Sequence, residues 1–154
     1  MPDSEPQVQP WRVLVTGSRE WVDRGLVAAE LALLPPGSTV FHGACHLGGA
    51  DLVAGEVAKG LGLLVRPVPV DHALDGPWPA AGPRRNQRML ATHGPFDLVL
   101  AFHEDPTLGR GTRDMVRRAK SDLRAPAGAR IVTVVRLPSR VMRTEQFVRV
   151  LPQR

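Results

Sequence analysis

Residues able to bind an anionic ligand collect in four segments of the chain, each of which follows a run of apolar residues. These segments are 17–19, 43–51, 71–86 and 109–112, and they are rich in glycine, hydroxyl and charged side chains. A glycine-rich loop that leads into a helix presents free backbone N–H groups and the positive end of the helix dipole, which suits a phosphate. Ordinary turn chemistry accounts for any one of these loops. All four together favour a nucleotide-like ligand.

Individual side chains in these segments have predicted roles. Arg19 and Arg85 are predicted to contact the anion, with a solvated arginine as the alternative for each. Asp51 is predicted either to bond a ribose hydroxyl or to cap its own helix, and Asn86 to read the edge of a base. Thr112 is predicted to cap a helix and to offer its hydroxyl or N–H to a phosphate.

Glycines and tryptophans add two further predictions. Four glycines are predicted to let the backbone approach a phosphate, with tight turns as the alternative: Gly43, Gly49, Gly109 and Gly111. Trp21 and Trp78 are candidates for stacking on a base, and packing in the core is the alternative for both.

The standard phosphate motifs do not match the chain. Gly43 and Gly48 have the spacing of a P-loop, but Gly49 and Ala50 follow where lysine and serine or threonine are required. This excludes a Walker-type NTPase. No G-x-G-x-x-G follows the first predicted strand, so hydride transfer on a dinucleotide-binding fold is unsupported.

Cys45 is the single cysteine, which forbids an intrachain disulfide and any zinc site built on two thiolates. With His42 and His46 it forms only a weak metal pattern, and nothing marks it as an activated thiolate. We therefore predict no metal and no required cofactor besides a nucleotide-derived ligand.

The elements that must position these residues alternate along the chain. Five apolar runs have the length and composition of buried strands: 12–16, 39–42, 63–70, 97–102 and 130–135. Four amphipathic stretches between them are typical of helices: 25–34, 50–61, 84–92 and 112–120. Gly62 is predicted as the C-cap of the second helix. Apolar strands separated by helices predict an α/β fold, a Rossmann-like three-layer sandwich with a mostly parallel sheet covered on both faces. In such a sheet, ligands bind beyond the carboxyl ends of the strands.

Length and composition are those of one globular domain. The chain has 154 residues, of which 43% are hydrophobic and 23% charged, so a fibre and wholesale disorder are excluded. We expect a flexible segment at 1–10, the domain at 11–136, and a basic tail at 137–154 that is either mobile or adds a strand at 147–151. No apolar run reaches the ~18 residues that span a bilayer. No secretory signal is evident either, so we predict a cytoplasmic protein without membrane contact.

Four ordered motifs carry a resemblance to a known superfamily. They are V-T-G-S-R-x-W at 15–21, H-G-A and G-A-D within 42–51, A-G-P-x-R-N-Q-R-M at 81–89, and A-F followed by G-R-G-T-x-D-M-V within 101–116. The chain resembles the YspA/cpYpsA-related branch of the SLOG superfamily, named for the DprA-like (Smf) proteins and the LOG phosphoribohydrolases. The resemblance implies a Rossmann-like fold that binds nucleotides or relatives of ADP-ribose and NAD. Twelve residues are the resulting candidates for ligand contact: Gly17, Ser18, Arg19, His42, Gly43, Gly49, Asp51, Arg85, Asn86, Gly109, Gly111 and Thr112.

The resemblance to the LOG enzymes raises the question of catalysis. Those enzymes cleave the N-glycosidic bond of nucleoside monophosphates, and their arginine position matches Arg85. Their motif glutamate falls on Met115, while Asp114 lies one residue earlier, about 100° around a helix. Since glycosidic cleavage needs a carboxylate, Asp114 or Asp51 would have to replace the glutamate.

Nucleic-acid binding is the competing class. Residues 1–83 hold five basic and nine acidic residues, while 84–154 hold fifteen and six. The basic half suits an anionic partner, and DprA-like relatives bind single-stranded DNA. Six arginines are candidates for backbone contacts: Arg117, Arg118, Arg136, Arg140, Arg143 and Arg149. A third hypothesis is a sensor whose ligand alters its contacts with a partner. For the oligomeric state, a homodimer is an open alternative to a monomer.

Overall fold

A six-stranded sheet forms the centre of the computed structural model, which describes residues 8–45 and 47–148. The strands lie in the order β3-β2-β1-β4-β5-β6. Their bounds are β1 Arg12–Gly17, β2 Thr39–His42, β3 Leu64–Pro67, β4 Leu98–His103, β5 Arg130–Arg136 and β6 Val141–Phe147. Neighbouring strands from β3 to β5 pair in parallel, and β6 pairs antiparallel with β5.

Helices cover both faces of this sheet. Their bounds are α1 Arg24–Leu31, α2 Ala50–Gly60, α3 His72–Asp75, α4 Ala81–His93 and α5 Gly109–Lys120. Alternate residues of each strand point to opposite faces, so Val13 and Val15 pack with α1 and α2 while Leu14 packs with α4 and α5. The prediction of a Rossmann-like α/β sandwich is confirmed.

Several boundaries differ from the sequence prediction. β3 ends at Pro67 rather than at residue 70, because prolines cannot continue a hydrogen-bonded ladder. α4 and α5 each begin three residues before their predicted starts, and α3 was not predicted. α2 ends at Gly60 with Leu61 as its C-cap, so the predicted C-cap, Gly62, lies one position beyond the observed one.

The added strand lies earlier in the chain than predicted. β6 occupies Val141–Phe147, whereas residues 149–151 of the predicted strand fall outside the described part of the chain. Ion pairs accompany its backbone pairing with β5: Arg130 meets Glu145 at 2.9 Å, and Arg143 meets Glu30 on α1 at 2.5 Å. Within residues 8–45 and 47–148, no helix is both long and apolar enough to cross a bilayer.

Candidate functional site

The strand order creates a topological switch point between β1 and β4. The chain runs from β1 outward to β2 and β3, then returns to place β4 on the other side of β1. Loops on either side of a switch point diverge and leave a crevice beyond the carboxyl ends of the strands. Here Gly17 pairs with Phe102, and the Ser18 N–H donates to the Phe102 carbonyl at 2.9 Å.

The loop after β1 is tied to the start of α2. The carbonyl of Ser18 accepts from the Ala50 N–H at 2.9 Å, and its hydroxyl accepts from the Glu20 N–H at 3.0 Å. Arg19 is exposed at this position. Trp21 is only 1% exposed, and its ring lies 5.4 Å from that of Phe102. The stacking hypothesis is therefore wrong for Trp21, which is a core residue.

The loop after β2 surrounds two buried ionisable groups. His42 accepts from the Ala44 N–H through Nδ1 at 3.0 Å, so its proton lies on Nε2. Asp51, in the first turn of α2, accepts from the Cys45 N–H through Oδ2 at 3.4 Å. Both predicted site residues thus lie at the carboxyl edge of β2, where they fix the path of the loop.

Burial shifts these two groups in opposite directions. Burial, reinforced by the positive charges of Arg85 and Lys59, lowers the pKa of His42 from 6.5 to about 4. Burial raises the pKa of Asp51 from 3.8 to about 6, although Arg85 opposes this change. Ionisable groups shifted this far cluster at functional sites.

Arg85 connects the loops after β2 and β3. Its Nη1 donates to the carbonyls of Gly43 and Val68 at 2.8 and 3.2 Å, and its Nε donates to Oδ1 of Asn86 at 3.1 Å. Among the described residues no hydrogen-bond acceptor faces Nη2, and none of the buried side-chain nitrogens is left without a partner. Burial lowers the pKa of Arg85, while the carboxylates of Asp51 and Asp75 oppose that change.

Asn86 links α4 to α5 through hydrogen bonds of its side chain. Its Nδ2 donates to Oδ2 of Asp114 at 3.0 Å and lies 3.5 Å from the Gly111 carbonyl. Asp114 also pairs with Arg117 and Arg118 at 3.0 and 2.9 Å. The carboxylate nearest the LOG glutamate position is thus already bonded to three side chains.

The start of α5 differs from its prediction. The helix begins at Gly109, and its N-cap is Leu108, which makes no side-chain cap bond. Thr112 is buried within the helix, so the predicted N-cap role of Thr112 is wrong. Met115 is 1% exposed and packs in the core under α4 and α5, so the position of the LOG glutamate faces away from solvent.

The candidate glycines fall into two groups. A Cβ at Gly43 would lie 2.6 Å from Nη1 of Arg85, one at Gly49 would lie 2.3 Å from the Ser18 carbonyl oxygen, and one at Gly17 would lie 2.2 Å from that of Phe102. Backbone contacts within the protein require Gly17 and Gly49, whereas a side chain at Gly43 would displace the guanidinium of Arg85. A Cβ at Gly109 would lie 3.0 Å from Nε2 of His103, whereas one at Gly111 would meet open space. Gly111 is thus the candidate glycine whose absent side chain leaves room for a ligand.

Backbone strain also concentrates at this edge. Among the described residues, the non-glycine residues with left-handed φ are Ala44 at 51° and Leu108 at 67°. They lie in the loops after β2 and β4. Such conformations cost about 1–3 kcal/mol each and persist at ligand sites and switch regions.

Metal ligands are not assembled here. Within residues 8–45 and 47–148, no three His, Cys, Asp or Glu side chains are grouped so as to hold a metal ion. His46, part of the weak metal pattern in the sequence, lies outside the described residues.

Four of the six arginines predicted to contact a nucleic-acid backbone pair with carboxylates. Arg118 pairs with Asp114, Arg136 with Asp23 at 2.9 Å, and Arg143 with Glu30 and Glu145. Arg140 is exposed, and Arg149 lies outside the described part of the chain. A cleft of about 670 Å³ between α4 and α5 is lined by Arg117, Arg118 and Arg124 together with Leu90 and Leu123.

The fold and this edge define a Rossmann-like α/β protein with polar loops, two of them locally strained, at the carboxyl ends of its parallel strands. The chain is 40% identical over 120 residues to the "Gene 61 protein" of Mycobacterium phage D29, a match that spans 71% of this chain and 88% of the phage protein. The chain therefore belongs to the family of that phage protein. No family model and no solved structure matches the chain.

Proposed function

We propose that the chain binds a nucleotide or nucleotide-derived ligand of the AMP, ADP-ribose or NAD type at the carboxyl edge of its sheet, as a sensor or a nucleotide-processing protein. The observation that carries the proposal is Arg85, whose guanidinium is fixed through Nη1 by the Gly43 and Val68 carbonyls, while Nη2 has no hydrogen-bond partner among the described residues. A guanidinium held in this way is prepared for a phosphate without further loss of side-chain entropy. The motifs shared with the SLOG superfamily support the same ligand class.

Asp51 supports a ribose as part of the ligand. Its carboxyl lies near Arg85, and with a pKa of about 6 it is largely ionised at pH 7. A carboxylate accepts hydrogen bonds from hydroxyl groups, whereas a guanidinium donates to phosphate oxygens. A ligand with both hydroxyl donors and phosphate acceptors suits this pair.

Thermal unfolding with AMP, ADP-ribose and NAD at two salt concentrations tests the proposal. A ligand at about 100 times its Kd adds about 2.7 kcal/mol, which corresponds to a rise in Tm of about 5–10 °C for a domain of this size. Arg85→Met is expected to abolish the rise. Arg84→Met is the matched control because Arg84 is an exposed arginine of the same helix. Unchanged melting with all three ligands would overturn the proposal.

Cleavage of an N-glycosidic bond is a second candidate, favoured by Asp51. General acid and base catalysis works best with a pKa near the working pH, and the buried carboxyl has a pKa of about 6. Chromatography of AMP incubated with the protein would detect released adenine. Asp51→Asn is expected to abolish release, and Asp114→Asn to leave it measurable. If the wild type releases no adenine from AMP, cleavage is excluded and ligand binding remains as the proposed function.

Single-stranded nucleic-acid binding is favoured by a row of cations along α5. Arg110, Arg113, Arg117 and Lys120 recur at helical spacing and are all exposed. In the described part of the chain, no carboxylate lies within salt-bridge distance of Arg110, Arg113 or Lys120. About four phosphate contacts would give a slope of about −3 in log K against log salt concentration. A salt-independent affinity for an oligonucleotide would exclude this candidate.

A further inference from the structure

Trp78 lies on the segment between β3 and α4 and is 62% exposed. Side chains as large and apolar as tryptophan are usually buried for the most part. Trp21, by contrast, is 1% exposed. An indole kept in water forgoes the free energy of burial. Its position on a loop at the carboxyl edge of the sheet favours a role in ligand binding, because binding residues concentrate on such loops.

The ring of Trp78 has a fixed aromatic neighbour. The His72 ring meets it edge-on, with centroids 5.6 Å apart and planes at 76°. Nδ1 of His72 donates to the Gly76 carbonyl at 2.7 Å, which holds the imidazole in place. Edge-to-face contact leaves a face of the indole free for another flat group.

The loop that carries both rings is anchored to α4. Asp75 accepts from the Asp71 N–H at 2.8 Å and from Nε and Nη2 of Arg88, both at 2.8 Å. Arg88 Nη2 also donates to the Pro69 carbonyl at 3.0 Å. Asp71 in turn caps α3 by accepting from the Ala73 N–H. The platform of Trp78 and His72 is therefore held before any ligand arrives.

Trp78 stands on the same face of α4 as the proposed anion contact. A Cβ at Gly82 would lie 3.6 Å from Cζ3 of Trp78, so the indole packs against the first turn of α4. Arg85 and Asn86 follow Gly82 at i+3 and i+4, which places all three on one face of the helix. Gly82 and Arg85 are three residues apart, which is about 4.5 Å along the helix axis.

We propose that Trp78, oriented by His72, is the stacking surface for the base of the nucleotide whose phosphate is held by Arg85. This inference rests on the proposed function and narrows it, because the ligand must then contain an aromatic base as well as a sugar phosphate. Trp78 contacts the base, and His72 is a positioning residue that acts through Trp78.

Comparison of AMP with ribose 5-phosphate tests the platform, with affinities measured by titration calorimetry. Replacement of an aromatic stacking residue by alanine weakens binding by about 5- to 150-fold per base. We expect Trp78→Ala to weaken the binding of AMP by this factor and to change the affinity for ribose 5-phosphate less than twofold. Trp78→Phe is expected to restore most of the affinity for AMP. Trp11→Phe is the matched control, because Trp11 lies at the opposite end of β1.

His72 gives an independent readout of the same platform. His72→Ala is expected to weaken the binding of AMP but not that of ribose 5-phosphate. His72→Phe is expected to recover the affinity for AMP, because phenylalanine restores an aromatic ring beside Trp78. AMP is also expected to quench the fluorescence of Trp78 in the Trp11→Phe protein, and ribose 5-phosphate is not. Circular dichroism establishes that each variant is folded.

The outcomes separate the platform from the proposed function. Equal affinity of the wild type for AMP and ribose 5-phosphate, or equal losses for both in Trp78→Ala, would overturn the platform and leave the phosphate site intact. Binding of neither compound by the wild type would overturn both.

Discussion

At the scale of single residues, the crevice places groups with opposing titrations side by side. A histidine whose pKa is lowered on folding costs stability as the pH falls from 6.5 towards 4, because the unfolded state binds the proton more strongly. An aspartate whose pKa is raised costs stability as the pH rises from 3.8 towards 6, because the native state binds the proton more strongly. His42 and Asp51 therefore oppose each other across the same interval.

Replacement of Asp51 exposes this balance. The rise of its pKa from 3.8 to about 6 corresponds to about 3 kcal/mol of destabilisation at pH 7. Asp51→Asn is expected to raise the free energy of unfolding at pH 7 by up to that amount and to change it by less than about 1 kcal/mol at pH 4. Urea unfolding at pH 4, 5.5 and 7 measures the difference. A variant less stable than the wild type at pH 7 would mean that Arg85 compensates the carboxylate fully.

Two glycines are expected to respond oppositely to alanine. In Gly17→Ala the new methyl would lie 2.2 Å from the Phe102 carbonyl oxygen, so the sheet must shift, at a cost of about 1–3 kcal/mol. Gly111→Ala meets open space inside α5 and is expected to stabilise by about 0.5–1 kcal/mol. Chemical unfolding measures both.

The Gly111 variant also reports on the ligand. If a phosphate approaches this backbone, Gly111→Ala is expected to weaken AMP binding while the fold gains stability. Unchanged affinity would show that Gly111 serves the helix alone.

At the scale of elements, α3 and α4 are joined by a buried ion pair. Asp75 is 1% exposed, and its pair with Arg88 lowers the pKa of its carboxyl to about 2. Removal of one partner from a buried pair leaves an uncompensated charge and costs about 3–5 kcal/mol. The segment that carries Trp78 thus depends on one arginine of α4.

Arg88→Leu is expected to lower the free energy of unfolding at pH 7 by about 3–5 kcal/mol. The loss should diminish as the pH falls through 4 and then through 2, because Asp75 is protonated first in the variant and then, below its pKa of about 2, in the wild type. Arg88→Leu with Asp75→Asn is expected to recover part of it, because no buried charge then remains. A double variant as unstable as the sum of the single variants would contradict the coupling.

At the scale of the whole molecule, one sheet supports both core layers. Val13 and Leu14 are neighbours on β1, yet the first packs with α1 and α2 and the second with α4 and α5. Loss of either layer would expose the same strands. The two faces should therefore unfold together.

A single cooperative transition is the expected result. Trp11→Phe with Trp78→Phe leaves Trp21 as the one fluorescent reporter, buried in the layer of α1 and α2. Its fluorescence and far-ultraviolet circular dichroism should give the same denaturant midpoint. An earlier fluorescence transition would show that this layer unfolds on its own.

The class of fold and the edge of the sheet at which the polar loops lie could be predicted from the sequence, because apolar runs and turn residues are local signals. β2 was predicted with its observed bounds, and the four polar loops all follow strands of the sheet. β6 was harder to place because its side chains are mostly exposed. Backbone pairing with β5 and long-range ion pairs, such as Arg143 with Glu30, stabilise it instead.

The tertiary structure alone decided which of the candidate residues are buried and which are exposed. Arg85 and Gly43 are 42 positions apart in the chain, and only folding brings the guanidinium onto that carbonyl. Trp21 and Trp78 are the same residue type in similar loops, yet one is enclosed by Phe102 and the other stands in solvent. Local sequence specifies the elements through periodicity and turn chemistry. Burial and the pKa of each group depend on the elements that pack around it, and these come from distant parts of the chain.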